Sequence, residues 1–89
     1  MKAIITVLGQ DQVGIIANVS TLLAANQINI LDISQTTMQN VFTMIMHVDL
    51  EGSSASILEM SEKLAALGKE IGLEIRIQHE GIFNAMHRM

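Results

Sequence analysis

The chain contains no cysteine, no proline, no tryptophan and no tyrosine, and only two phenylalanines. Without cysteine there is no disulfide framework, no thiolate metal site and no cysteine nucleophile. With Phe42 and Phe83 as its only aromatic rings, it offers few surfaces on which a nucleic-acid base can stack. Charge is scarce as well: 16% of the 89 residues are charged, nine acidic against five basic, for a formal net charge of −4. Lys2, Lys63, Lys69, Arg76 and Arg88 are scattered, so no basic patch is present to neutralise a phosphate backbone, and nucleic acid is not expected as a partner. No apolar run approaches the roughly 20 residues of a membrane-spanning helix. Lys2 followed by Ala3 to Leu8 imitates the start of a signal peptide, but Gln10 and Asp11 cut the apolar region short. The expectation is a cytoplasmic protein with no membrane attachment and no cofactor.

Aliphatic side chains are plentiful, and hydrophobic residues make up 49% of the chain. Residues 1–89 read as one domain. A domain of this length hides a limited share of its unfolded surface, and association is a natural way to hide more. A monomer of this size would also carry more surface charge. A homo-oligomer is therefore expected, and a two-fold dimer in particular.

Ala3 to Leu8 is apolar at both parities, the pattern of a central strand covered on both faces. Val13 to Asn26 reads as a helix with Ile15, Ile16, Val19, Leu22 and Leu23 in one stripe, and Asp11 is its expected N-cap. Between strand and helix, Gly9-Gln10-Asp11-Gln12-Val13-Gly14-Ile15 forms a turn with two glycines and an acidic residue. Such a turn presents backbone N–H groups at the positive end of a helix, a place suited to a small anion such as an amino-acid carboxylate. Ile28 to Thr37 is a strand whose parity switches between Ile30 and Leu31, so a bulge is expected near Ile30 to Asp32. Met38-Gln39-Asn40 is a turn, with Asn40 suited to a positive φ.

Val41 to Leu50 alternates cleanly, with Phe42, Met44, Met46, Val48 and Leu50 on one face. Ser56 and Glu59 form a capping box before a stripe of Ile57, Met60, Leu64, Leu67 and Ile71, and Gly72 is its left-handed stop. Leu73, Ile75 and Ile77 alternate with Glu74, Arg76 and Gln78 in a last strand. From Gly81 onward, Ile82, Phe83, Met86 and Met89 line one side of a short terminal helix. The order is βαββαβ plus this helix. The economical α+β arrangement is ferredoxin-like, a four-stranded antiparallel sheet with two helices on one face. Right-handed crossovers put the first and third strands in the centre and the second at an edge.

The pattern Gly9-x-Asp11-x-x-Gly14-Ile15-Ile16, followed by Leu22-Leu23 and by Asn29-Ile30 at the next strand, resembles the ACT domain. The tail from Gly81 to Met89 is similar to that of small stand-alone bacterial ACT proteins, which carry no enzyme domain. The resemblance implies an amino-acid-sensing regulatory module, paired as a homodimer through its second-strand edge. It further implies that a ligand at the seam touches Gly9, Gln10, Asp11, Gln12, Val13, Gly14 and Ile15 of one subunit, and Asn29 and Ile30 of the other. Some amino-acid-binding members have histidine at the head of the turn and asparagine two residues on, where this chain has Gly9 and Asp11. An aspartate there receives an ammonium group and repels a nearby carboxylate.

Each of these features also has a purely structural reading. Asp11 and Gly14 can belong to a capped helix, and Asn29 can hydrogen-bond the preceding turn. His47, projecting away from the helices, His79, in phase with the core, and His87 in the tail show no close helical spacing of a zinc motif. The seven methionines fit core stripes, where the flexible thioether fills gaps. Other users of this fold order need residues that are missing: central stacking aromatics, a phosphate-holding arginine in the first turn, or paired cysteines there. No nucleophile set or phosphate loop appears, so no catalysis is expected and an enzyme of unknown type is the weaker alternative. The stronger rival is an interaction or dimerisation module that binds an unidentified protein and no small ligand.

Overall fold

The computed structural model describes residues 1–86. The elements are β1 (Lys2–Gln10), α1 (Ile15–Ala25), β2 (Asn29–Met38), β3 (Val41–Asp49), α2 (Ile57–Ile71), β4 (Leu73–His79) and α3 (Glu80–Met86). The strands form one sheet in the order β2-β3-β1-β4, antiparallel at every pairing. This is the expected ferredoxin-like arrangement, with β1 and β3 central. Among the described residues no helix is long and apolar enough to cross a membrane. The expectations for His87 and Met89 lie outside the described residues.

Alternation decides which side of the sheet is dry. Ala3, Ile5 and Val7 of β1, Phe42, Met44, Met46 and Val48 of β3, and Leu73, Ile75 and Ile77 of β4 form one buried cluster with Ile15, Val19 and Leu23 of α1 and Met60 and Leu64 of α2. Burying side chains of this size is worth about 1.5–3 kcal/mol each, so this layer outweighs any single polar contact in the molecule. The opposite face is only partly covered. There α3 lies against β1 and β4, held at its start by the contact of the Glu80 carboxylate with His47 Nε2. Ile4, directly across from His47 in the register, is buried as a result. Leu8, farther along the same face, is exposed, so the coverage of β1 on both sides ends part-way along it.

The parity switch in β2 has its physical cause in the ladder. Register slips between Ile30 and Asp32, and Leu31 is the extra residue. Ile30 stands opposite Val48 and Ile33 opposite Met46, so the bulge returns Ile33 to the face from which the parity break had removed it. Gln39 and Asn40 both have positive φ, 51° and 69°, as a tight hairpin of the primed type requires. The Ser56–Glu59 capping box is present in both directions, and Gly72 ends α2 at φ 77°.

Two expectations need correction. Asp11 does not cap α1: the helix starts at Ile15, and its N-cap is Gly14, at φ 89° and with no side-chain cap. The Asp11 backbone N–H is instead drawn to the Asn40 carbonyl, 2.7 Å away, which takes Asp11 out of reach of the helix start. His79 is exposed, and its Nδ1 accepts from the Gly81 N–H at 3.1 Å. The strand pattern leads inward there, but α3 begins one residue later and turns the side chain out.

Candidate ligand site at the start of the first helix

The turn from Gly9 to Ile15 is tied on two sides. Besides the Asp11–Asn40 bond to the β2–β3 hairpin, Gln12 Nε2 donates to the Ile71 carbonyl at 2.8 Å, at the end of α2. The side chain of Gln12 thus serves as a strut, a role that no spacing in the sequence signals. Asp11, Gln10 and Val13 are exposed, Val13 at 99%. A valine standing free in water beside an open helix end has no packing function in the described structure.

The two glycines have different reasons to be glycine. At Gly9, paired with Phe42 on one side and Leu73 on the other, a Cβ would run into Leu73 Cδ2. Its bareness lets β4 close on β1. At Gly14 a Cβ would meet only Asn18 Nδ2, at 3.6 Å, so space is not the constraint. The left-handed backbone is, and it is the conformation that glycine reaches without cost.

The result is a helix end without a lid. Asn18 N–H donates to the Gly14 carbonyl at 2.9 Å, closing the first helical turn. Ahead of it the N–H groups of Ile15, Ile16 and Ala17 have no earlier helical carbonyl to receive them. No acidic residue occupies the first turn of α1, so its partial positive charge is uncompensated locally. Asn18 adds a side-chain amide beside Gly14. Ile15 itself is buried, so it offers a guest only its backbone.

Asn29 and Ile30 are elsewhere in the same chain. Asn29 pairs with Asp49 and Ile30 with Val48, whereas Gly9 pairs with Phe42, at the other end of β3. Seven residues of strand separate Phe42 from Asp49, roughly 23 Å. Within one protomer, then, the turn comes together from Gly9 to Ile15 and the β2 residues do not join it. His47 is engaged with Glu80, and among the described residues no cluster of three or more histidine, cysteine or acidic side chains could hold a metal ion.

Residues 2–78 match the sequence family described as the ACT domain. The chain belongs to the ACT domain family. This ACT domain is 58% identical over 89 residues to a UPF0237 protein of Clostridium acetobutylicum, with 100% of each chain covered. It is 44% identical over 88 residues to a UPF0237 protein of Methanocaldococcus jannaschii, covering 99% of this chain and 98% of the relative. Among solved structures it is similar to an ACT domain protein from Streptococcus pneumoniae, with TM-score 0.83, 40% identity and 98% of both chains covered. These relatives are of nearly the same length as this chain and come from both bacteria and archaea.

Proposed function

We propose that this ACT domain is a regulatory module that binds a small molecule of the amino-acid class as a homodimer and catalyses nothing itself. The observation that carries the reading is the uncapped start of α1, opened by Gly14 and held rigid by Asp11 and Gln12. Backbone N–H groups there, with the Asn18 amide, suit a carboxylate. The exposed Asp11 carboxylate suits an ammonium group at a little distance. Together they fit a zwitterion better than a bare anion.

The other half of the site comes from a second copy. Every residue of β2 from Leu31 to Met38 is exposed, and among the described residues no strand lies beside its outer edge. An open edge of this length invites pairing. Antiparallel pairing of two β2 edges about their midpoint would set Asn29 of one copy beside Met38 of the other. Met38 stands in line with Val41 and Gln10, at the end of the sheet where the turn begins. The roughly 23 Å gap within one protomer would thus be closed between protomers.

Thermal unfolding of the purified protein against a panel of the common amino acids at millimolar level tests this. A ligand that binds only the folded dimer raises Tm with concentration, by the equivalent of about 2.7 kcal/mol at a hundred times Kd. Val13→Glu, adding a negative charge at a fully exposed position, should abolish that shift while leaving the unliganded Tm unchanged. Leu31→Lys should weaken association in light scattering. Absence of a shift with every amino acid, together with an intact dimer, would favour the second reading, a dimerisation module without a small ligand. The exposed apolar residues of β2 favour that reading independently of the turn.

A further inference from the structure

The sheet has a second edge, β4, and among the described residues no strand lies beside it on the side away from β1. A slot of about 590 Å³ runs along that edge, between Ser61, Ala65 and Lys69 of α2 and the strand from Leu73 to Gln78. The helix lies close over the strand there: a Cβ at Gly68 would run into the Leu73 carbonyl and crowd the Ile75 side chain. Toward the core, Leu73, Ile75 and Ile77 are buried. On the opposite face Glu74 and Arg76 are exposed and paired with each other along the strand. An open edge of this kind is where another strand adds.

We propose that β4 pairs antiparallel with β4 of a second copy, about a two-fold axis normal to the sheet at Ile75. Charge selects this register. Residues directly opposite in an antiparallel pair share a face and interact. With Ile75 on the axis, Glu74 of each copy stands opposite Arg76 of the other, and Leu73 opposite Ile77. Together with the pair already made along each strand, the four charges close into a ring of alternating sign. Centring the axis on Glu74 or on Arg76 instead would set that residue against itself, like charge on like. A second copy carries the complementary pattern by symmetry, as a foreign strand does not. The same axis suits the helices. Gly68 lies at the level of Leu73 and Ile75, and α2 runs opposite to β4, so Ala65, about 4.5 Å further along the helix, comes level with Ile75. Ala65 is exposed, and its single methyl stands where the two α2 helices approach most closely. Alone, β4 pairing gives a closed dimer. Combined with the β2 seam, it continues the sheet through both edges, and the assembly grows with concentration.

Light-scattering mass over a concentration series, on the full chain, tests this. Arg76→Glu makes the whole ring negative and Glu74→Arg makes it positive. Each should weaken association about tenfold, although they move the net charge in opposite directions. The double swap of Glu74→Arg with Arg76→Glu rebuilds the alternating ring and should restore association to within about threefold of the wild type. If a wild type of more than two chains falls to two with either Arg76→Glu or Leu31→Lys, both edges pair. A two-chain wild type that Arg76→Glu splits and Leu31→Lys leaves intact supports β4 pairing and removes the β2 seam. A wild-type monomer, a mass that Arg76→Glu leaves unchanged, or a double swap that fails to restore association overturns the proposal. Both side chains are exposed, so circular dichroism of every variant should match the wild type.

Discussion

The two helices that cover the sheet begin in opposite ways. At α2, Ser56 accepts from the Glu59 N–H and Glu59 reaches back to the Ser56 N–H, so the first turn is closed by its own residues. At α1 the N-cap is a glycine with no side chain to give. The closed end is complete in itself and has only stability to supply. The open end leaves hydrogen-bonding capacity unspent, in a turn held firmly by neighbours on both sides. The start of α2 is closed by its own side chains, whereas that of α1 leaves its first N–H groups without a side-chain cap.

The comparison can be broken by substitution. Gly14→Val forces a β-branched residue to φ 89° and should lower stability by about 2 kcal/mol in urea unfolding; a smaller loss than that of Ser56→Ala would mean the turn relaxes freely. Ser56→Ala should cost about 1 kcal/mol by the loss of the cap. Gly14→Asn should cost less than about 0.5 kcal/mol, because asparagine tolerates the left-handed region. A cost equal to that of valine would make space, not backbone angle, the constraint. Smallest of all, Glu80→Gln weakens the partly exposed hydrogen bond to His47 and should change global stability by no more than about 0.5 kcal/mol. Faster amide exchange confined to α3 is its signature.

Most of the fold was legible in the sequence because it rests on local periods. The alternation from Phe42 to Leu50, the capping box at Ser56 and the stop at Gly72 each depend on residues within a few positions of one another. Even the bulge at Leu31 showed itself as a broken parity. What escaped depends on contacts distant in sequence. Asp11 has the chemistry of an N-cap, yet the Asn40 carbonyl takes its backbone N–H and the helix starts four residues after it, at Ile15. His79 keeps the core rhythm of Leu73, Ile75 and Ile77, yet α3 follows at once and leaves it in water. Gln12 as a strut to Ile71 spans 59 residues, beyond any motif. Of the candidate site, the sequence shows the contiguous turn from Gly9 to Ile15; Asn29 and Ile30, adjacent to it in the expected site, lie at the opposite end of β3 in the same chain.

The bond between Asp11 and Asn40 has a mechanical consequence. It couples the loop that would greet a guest to the hairpin at the tip of the open-edged strand, so a push on either is felt by the other. Where such a tie links two binding events, the favour is mutual: a metabolite that steadies the loop tightens the handshake between subunits, and dilution that parts the subunits loosens the grip on the metabolite. A chain of this size can in that way report a concentration as a change in company.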